Sequence, residues 1–179
     1  MTETARLYGG SLYELASEEQ LADTILEQMR QIRTLFRENP DYLRLLGEPS
    51  IPKGERLDLI EKAFGSQAER YLVSFIKLLC EKNLLTEYGG CCEEYTRRFN
   101  ADHNIAEAVV TSAVPLSSKQ AEELRAKLEK ISGKTISLIQ RTDPSIIAGL
   151  KVELEGVHLD GTVQGRLAGI TRRLNETVV

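Results

Sequence analysis

Apolar residues recur every three or four positions through the first hundred residues, which is the period of an amphipathic α-helix. Helix-breaking residues interrupt this period at Asn39-Pro40, at Pro49 and Pro52, and at Gly65. The pattern therefore predicts six helices joined by short loops. The second helix has the clearest apolar stripe, formed by Ala22, Ile25, Met29, Ile32 and Phe36.

Two features of these helices are open to interpretation. Ser17 and Gln20 have the spacing of a capping box, so the second helix is expected to begin after Ser17. The fifth helix, at about residues 67–82, is apolar over a wider arc than a surface helix needs. It is either the central helix of the bundle or one wall of a groove for a partner helix. The small residues Gly9, Gly10 and Ser11 fit both interpretations, because they let another helix backbone approach closely.

The periodicity changes near Ile105, where residues rich in Val, Ala and Ile alternate as in a β-strand. The elements expected from there are a strand at Ile105–Val114, a helix capped by Ser117 and closed by Gly133, strands at Lys134–Arg141 and Ser145–Glu155, a hairpin turn at Gly156, a return strand at Val157–Leu159, and a last helix opened by Thr162. The fold class expected is α+β, with a six-helix bundle at residues 1–104 and a small α/β domain at residues 105–179.

The distribution of charge along the chain supports the same boundary, and the net charge argues against one class of function. Residues 1–104 carry 18 acidic and 13 basic side chains, whereas residues 105–179 carry 9 and 10. The net charge of -4 argues against a dedicated nucleic-acid binder, which normally presents a basic face. No apolar run is long enough to span a bilayer, and the amino-terminal residues lack the pattern of a signal or transit peptide. We therefore expect any membrane association to be peripheral.

Residues that could carry chemistry are few. The sequence contains no P-loop, no dinucleotide fingerprint and no HExxH or GxSxG motif, and its two histidines lie far apart. Cys91 and Cys92 could form a thiol redox site, although the acidic Glu93 and Glu94 beside them disfavour a thiolate. Cys80 is the third cysteine, and an odd number of cysteines fits a protein from a reducing compartment.

Arg97-Arg98 and Arg172-Arg173 are the basic pairs most able to contact nucleic acid, but both are interpreted as parts of solvated helix faces. Two alternatives follow from these residues. One is a small cytosolic regulatory or nucleic-acid-binding helical protein, and the other is a thiol redox protein that uses Cys91 or Cys92.

The segment from Asp143 to Leu167 resembles the C-terminal signature of the delta subunit of F-type ATP synthase, which in mitochondria is the oligomycin-sensitivity-conferring protein. The matching residues are Asp143, Pro144, Ser145, Ile146, Gly149, Leu159, Asp160, Gly161, Thr162, Val163, Arg166 and Leu167. Ala148 stands where the family often has a glycine. The N-terminus resembles the opening of the same family at Ala5, Tyr8, Leu12, Tyr13, Leu15 and Ala16, with Gly9 and Ser11 in place of the usual alanines.

The resemblance implies a stator subunit in the peripheral stalk of a proton-translocating ATP synthase, and no catalytic residue, cofactor or metal. In that family the helical domain binds the N-terminal helix of an alpha subunit, mainly through its first and fifth helices. The C-terminal domain holds the b subunits of the stalk. One copy per complex is expected, without nucleic acid or direct membrane insertion. The expected location is the cytoplasmic face of a bacterial plasma membrane, with the thylakoid stromal side as the alternative.

The family pattern also suggests which residues contact the alpha-subunit helix. They are Tyr8, Ser11, Leu12, Phe75, Leu78 and Leu79. Tyr8, Leu12, Phe75 and Leu79 fit the core of the helical bundle equally well. The signature residues Asp143, Pro144, Gly149, Asp160, Gly161 and Arg166 are expected to shape the C-terminal domain.

Overall fold

The computed structural model describes residues 2–146 and 148–161. Within them the chain forms seven α-helices and one four-stranded sheet, which confirms the α+β fold class. The chain divides into two compact units, Met1–Phe99 and Asn100–Val179. The division falls inside the sixth helix, whereas the sequence suggested a boundary after residue 104.

The first unit is helical. Its elements are α1 (Glu3–Glu18), α2 (Ala22–Glu38), α3 (Pro40–Gly47), α4 (Lys53–Phe64), α5 (Arg70–Glu81), a 3-10 turn at Leu85–Glu87, and α6 (Tyr88–Asp102), which crosses the division. Pro40 begins α3, where its missing N–H removes no helical hydrogen bond. All five apolar residues assigned to the stripe of α2 are buried.

The boundary between α1 and α2 differs from the prediction. Ser17 lies inside the last turn of α1, and Leu21 precedes α2 without a side-chain cap. The end of α1 is instead closed by backbone bonds, from the Leu21 N–H to the Ala16 carbonyl at 2.8 Å and from the Gln20 N–H to the Ser17 carbonyl at 3.1 Å. Gln20 takes a left-handed conformation with φ of 58°. This is a Schellman-type helix end, which the capping-box spacing concealed.

Aromatic rings fill the interior of the first unit. Phe36 of α2 meets Tyr88 edge-on with ring centroids 5.1 Å apart, and it meets Phe64 in the same way at 6.0 Å. Tyr13 and Tyr95 form a second edge-on pair at 5.2 Å. The Tyr95 hydroxyl donates a 2.9 Å hydrogen bond to the Ala22 carbonyl, so this buried polar group is satisfied.

Glycine lets α1 and α6 pack closely. A Cβ added to Gly9 would lie 2.5 Å from the carbonyl oxygen of Cys91 and 2.9 Å from its Cα, and one added to Gly90 would lie 2.8 Å from the Cβ of Ala5. Gly10 leaves space for the guanidinium of Arg98. Gly9 and Gly10 therefore admit a helix of the same unit, which was one of the two interpretations of these small residues.

A fully buried carboxylate, Glu94, lies on α6 beside this crossing. It accepts hydrogen bonds from the Nε and Nη2 of Arg97 at 2.8 and 2.7 Å and from the Nε of Arg98 at 2.9 Å. Arg98 also donates to Glu14 of α1 at 2.6 Å. The hydrogen bonds from Arg97, followed by the one from Arg98, lower the pKa of Glu94 to about 2. The interpretation of Arg97-Arg98 as a solvated pair therefore holds for Arg97, whose side chain is 61% exposed, and less for Arg98, at 32%; both guanidinium groups also neutralise a buried charge.

The second unit is a β-sheet with one described helix on its face. Its elements are β1 (Ile105–Ser112), α7 (Ser118–Ser132), β2 (Thr135–Thr142), β3 (Leu150–Leu154) and β4 (Val157–Asp160), in the sheet order β2-β1-β3-β4. β1 and β2 are parallel and joined through α7, whereas β3 and β4 are antiparallel additions. The core beneath α7 consists of Ala106, Ala108, Val110, Leu128, Ile136 and Val152.

The turns of this unit largely match the sequence prediction. The Ser117–Gln120 capping box is present, and Gly133 ends α7 with φ of 69°. Glu155 and Gly156 both have positive φ, as a tight two-residue hairpin requires. β3 is shorter than the predicted Ser145–Glu155, because the segment after Asp143 first forms a turn. The helix predicted to begin at Thr162 lies outside the described residues.

We expect Gly9→Ala to destabilise the first unit by about 1–3 kcal/mol, because its Cβ would press against rigid backbone. Gly89→Ala is the matched control. Its Cβ would come no closer than 3.8 Å to the Arg33 side chain, so this change is expected to be neutral or to stabilise by up to about 1 kcal/mol. Urea denaturation, monitored through the circular dichroism of the helices, measures the free energy of unfolding of both variants. Equal effects of the two variants would contradict the close crossing.

Glu94→Gln is expected to lower the free energy of unfolding by about 2–3 kcal/mol at pH 7, because charge-assisted hydrogen bonds are lost. Since the folded-state pKa lies below the ordinary value of 4.5, this contribution is present above that value and disappears as the pH falls towards 2. The Gln variant should therefore lose stability less steeply between pH 5 and pH 2.

Glu93→Gln is the control for Glu94. The Glu93 side chain is 55% exposed and pairs with Arg33, so its removal should cost less than about 1 kcal/mol. Denaturation at several pH values compares the two variants. Parallel pH profiles for Glu94→Gln and the unmodified chain would contradict the role given to this carboxylate.

Candidate functional site

The cysteines do not form a reactive site. All three are free and buried. Burial is the main reason why the pKa of Cys91 rises to about 11 and that of Cys92 to about 12. The nucleophilic thiolate is therefore scarcely populated at neutral pH, and neither sulfur is accessible. The thiol redox alternative finds no support in this geometry.

Within residues 2–146 and 148–161, no group of three or more His, Cys, Asp or Glu side chains could hold a metal ion. In that same portion, no helix combines the length and apolarity needed to cross a membrane. The basic pair Arg97-Arg98 is already engaged by Glu94.

The six residues suggested for partner binding fall into two groups. Leu12, Phe75 and Leu79 are buried, with 4%, 7% and 0% of their surfaces exposed. Tyr8 is half-buried, Ser11 is exposed, and Leu78 is 40% exposed. Only the second group is accessible to another protein without rearrangement of the helices.

The accessible residues lie on two stripes. On α1 the stripe contains Tyr8, Ser11 and Leu15, and on α5 it contains Tyr71, Ser74 and Leu78. The spacing of three and then four residues keeps each stripe on one side of its helix. α1 and α5 are in contact, and we call these six residues the α1–α5 face. The buried Leu12, Phe75 and Leu79 belong to the same two helices.

The two helices of this face run in opposite directions. The pKa of Arg70, at the start of α5, is raised mainly by its hydrogen bond to Tyr71, and the charge of Glu19 at the end of α1 adds to this, so the two residues are neighbours. At the other end, the Thr2 hydroxyl before α1 donates a hydrogen bond to Glu87, in the 3-10 turn that follows α5. Arg70 also stacks over the ring of Tyr71 at 4.7 Å and donates to its hydroxyl at 2.8 Å.

The sequence did not indicate Leu15, Tyr71 and Ser74 as partner-binding residues. The wide apolar arc of α5 indicated residues on its buried side instead. A signal was nevertheless present, since Tyr, Ser and Leu recur at the same spacing in both helices. The exposed apolar side chains are the informative ones, because solvent-exposed leucines grouped with tyrosines are typical of protein interfaces.

The signature residues of the second unit form its turns. The Asp143 carboxylate accepts a 2.9 Å hydrogen bond from the Ser145 N–H, and the Asp143 N–H donates to the Ser112 carbonyl at 2.9 Å. Hydrogen bonding by the Ser145 side chain, followed by that of its N–H, lowers the pKa of Asp143. Pro144 occupies the turn that follows, and Gly149 has φ of 94°. These residues redirect the chain from β2 towards β3.

The second half of the signature closes the hairpin. Asp160 pairs with Lys151 at the edge of the sheet, and the Gly161 N–H donates to the Leu150 carbonyl at 3.0 Å. A Cβ at Gly161 would lie 3.2 Å from that carbonyl oxygen, so a small residue suits this position. Arg166 lies outside the described residues. The described signature residues therefore have roles in folding.

The comparisons with known proteins all indicate the same family. The family model of the ATP synthase delta (OSCP) subunit matches residues 4–174. "ATP synthase subunit delta" of Alkaliphilus oremlandii is 30% identical over 98% of this chain and 97% of that protein. The protein of the same name from Acetivibrio thermocellus is 30% identical over 89% of this chain and 90% of its own length.

A solved structure shares the fold. A chain in the cryo-EM structure of the Toxoplasma gondii mitochondrial ATP synthase hexamer aligns with a TM-score of 0.70 at 16% identity, over 97% of this chain and 98% of that one. The family model and the relatives both extend over nearly the whole sequence. The chain therefore belongs to the ATP synthase delta (OSCP) subunit family.

Proposed function

We propose that this chain, a non-catalytic stator subunit of F-type ATP synthase, binds the N-terminal helix of an alpha subunit on its α1–α5 face. In the same proposal, the helical bundle of residues 1–104 contacts the catalytic head and residues 105–179 hold the b subunits of the stalk. The link prevents the head from rotating with the central shaft. The observation that carries the proposal is the paired, accessible stripe of Tyr, Ser and Leu on α1 and α5.

The chemistry of the face suits a helix as its ligand. The central Ser11 and Ser74 are small and exposed, so a partner helix can approach closely between α1 and α5. Leu15 and Leu78, which are 37% and 40% exposed, offer apolar surface on either side. The tyrosines add large, rather rigid contact area with a polar tip. An amphipathic helix would bury these groups by placing its apolar side along the face.

The buried Leu12, Phe75 and Leu79 have a supporting role in this proposal. Their side chains fix the spacing and orientation of α1 and α5 from inside the unit. Direct contact with the alpha-subunit helix is assigned to Tyr8, Ser11 and Leu78 from the original six, together with Leu15, Tyr71 and Ser74. A substitution at Phe75 would damage the core, so accessible residues are better tests of binding.

A stator link must remain occupied under torque. Nanomolar binding corresponds to about -12 kcal/mol, which a helix-in-groove contact with a few aromatic anchors can supply. The same requirement explains why the subunit needs no catalytic group. Its contribution is mechanical, because proton flow performs work on ATP only if the head stays fixed relative to the membrane sector.

The sheet of the second unit offers a surface for the b subunits. The residues that face away from the core beneath α7 include Glu107, Val109, Ser137, Ile139, Arg141, Lys151 and Glu153. Val109 is paired with Ile139 on one side and with Glu153 on the other. Ile139 is 39% exposed. The mixture of apolar and charged side chains suits the amphipathic end of a long stalk helix.

The subunit acts as one copy per complex and takes part without nucleic acid or direct membrane insertion. As a member of this family it is peripheral to a membrane-bound complex. The proposed side is the cytoplasmic face of a bacterial plasma membrane. The bacterial relatives support this choice over the thylakoid.

Leu78→Asp is expected to weaken binding of a synthetic peptide of the alpha-subunit N-terminal helix by about 30-fold, the effect typical of an interface hot spot. Calorimetric titration of the peptide into the full chain measures it. In ATP synthase reassembled with this variant, ATP hydrolysis should continue while proton pumping falls.

Leu45→Asp is the matched control for this experiment. Leu45 is also 40% exposed but lies on α3, so the same change should leave peptide binding and coupling intact. Circular dichroism establishes that both variants are folded. Full affinity in folded Leu78→Asp, or an equal loss in both variants, would refute the proposed location of the face.

Ile139→Asp is expected to reduce binding of a soluble b-subunit fragment by at least about tenfold, because a charge would replace apolar contact area. Ile131→Asp is its control, since Ile131 is 76% exposed on α7. Analytical ultracentrifugation of the full chain with the fragment compares them. If the α7 variant loses binding and the sheet variant keeps it, the stalk contact has been assigned to the wrong surface.

A further inference from the structure

Arg70 stands where a helix by itself does not favour a basic residue. It is the first residue of α5, and the amino terminus of a helix carries a partial positive charge that repels a guanidinium. Its side chain is exposed, so burial does not account for the arginine either. The energetics of the helix alone therefore do not explain this residue.

The contact that Arg70 makes is with Tyr71, the next residue and a member of the α1–α5 face. The Arg70 Cζ lies 4.7 Å from the centroid of the Tyr71 ring, and the Arg70 Nη2 donates a 2.8 Å hydrogen bond to the hydroxyl oxygen. One guanidinium thus contacts both the face of the ring and its polar tip. A rotation of Tyr71 about its Cα–Cβ bond would break both contacts, so the ring is restrained to one rotamer.

Negative charge from both helices favours the guanidinium at this place. The pKa of Arg70 is raised first by its hydrogen bond to Tyr71 and further by the carboxylates of Glu19 and Glu69. Glu19 follows the last residue of α1, and Glu69 precedes the first residue of α5. Because an arginine has no acceptor atom, the Tyr71 oxygen accepts the hydrogen bond, and its O–H remains available to a ligand.

The matching tyrosine on α1 lacks this restraint. Tyr8 has the same position in the stripe of α1 as Tyr71 has in that of α5, and both are half-buried. Among the described residues, no hydrogen bond, ion pair or ring contact involves the Tyr8 side chain. The residue before Tyr8 is Leu7, which offers no guanidinium. The two tyrosines of the face therefore differ in how far they are ordered in the unbound chain.

We infer, on the basis of the proposed function, that Arg70 is a positioning residue of the α1–α5 face, which holds Tyr71 in the conformation that contacts the partner helix. Ordering a side chain at the moment of binding weakens an affinity by about two- to tenfold. Arg70 removes this cost for Tyr71, because the ring is already restrained before the partner arrives. The contribution of Arg70 to binding passes through Tyr71 and needs no contact of its own with the partner.

A double-mutant cycle tests whether Arg70 acts through Tyr71. The probe is a synthetic peptide of the alpha-subunit N-terminal helix, titrated calorimetrically into the full chain. Arg70→Met, which keeps an apolar stem and removes the guanidinium, should weaken binding by about three- to fivefold. In the Tyr71→Ala background the same change should have no effect, because no ring is left to position. An equal loss in both backgrounds would mean that Arg70 contacts the peptide directly, and would overturn the positioning role.

Two further variants separate the geometry of the guanidinium from its charge. Arg70→Lys keeps the positive charge but lacks the planar fork, so it should bind nearly as weakly as Arg70→Met. Arg37→Met removes the same charge from an exposed position of α2 and should leave the affinity unchanged. Full affinity in Arg70→Lys, or an equal loss in Arg37→Met, would attribute the effect to charge alone and overturn the positioning role.

The restraint on Tyr71 can also be measured without a ligand. In the full chain with ¹³C-labelled tyrosine rings, NMR relaxation reports the picosecond-to-nanosecond motion of each ring. Arg70→Met should increase the motion of Tyr71 and leave that of Tyr8 unchanged. Unchanged motion of Tyr71 would overturn the positioning role even if the peptide binds. Release of the ring in a chain that binds no peptide before any substitution would instead overturn the proposed function, and the role of Arg70 in binding with it.

Discussion

The close crossing of α1 and α6 is the constraint on which the first unit depends. Gly9 lies against the backbone of Cys91, and no other residue type fits there without moving one of the helices. Beside the crossing, Arg98 joins the buried Glu94 of α6 to Glu14 of α1. Because these contacts fix the position of α1, the stripe that α1 presents beside α5 is held in place as well.

The same arrangement explains why the adjacent cysteines and the arginine pair of α6 are not free to react or to bind nucleic acid. Cys91 lies at the helix crossing and the Cys92 thiol lies against the Met29 carbonyl of α2, and burial keeps both thiols protonated. Arg97 and Arg98 are occupied in neutralising Glu94, which would otherwise be a costly buried charge. The two cysteines that suggested a redox function are thus part of the core, and the two arginines that suggested a nucleic-acid function are held in ion pairs with Glu94. The accessible α1–α5 face that remains has two serines at its centre, with tyrosines and leucines beside them.

This distribution of buried and accessible residues suits a stator subunit. Its binding surface must transmit force without deforming, so the residues beneath it should be packed and their polar groups satisfied. Leu12, Phe75 and Leu79 meet the first condition, and the hydrogen bonds of Tyr95 and Glu94 meet the second. The ligand side chains can then lie on the surface of helices that do not rearrange. In the proposed role, affinity comes from the tyrosines and leucines of the α1–α5 face.

The sequence by itself determined the class of fold, the helices and strands, the family, and much of the turn chemistry. These properties depend on local periodicity and on residues such as Gly133, Gly156 and Ser117, whose roles involve only near neighbours in the chain. It could not separate Leu12 from Ser11, or Phe75 from Ser74, as buried and accessible members of one helix. That distinction depends on where α1, α5 and α6 meet, and so does the role of Arg98, whose partners lie on two helices. Only the tertiary structure decided these points, because burial and ion pairing between distant residues arise when helices pack.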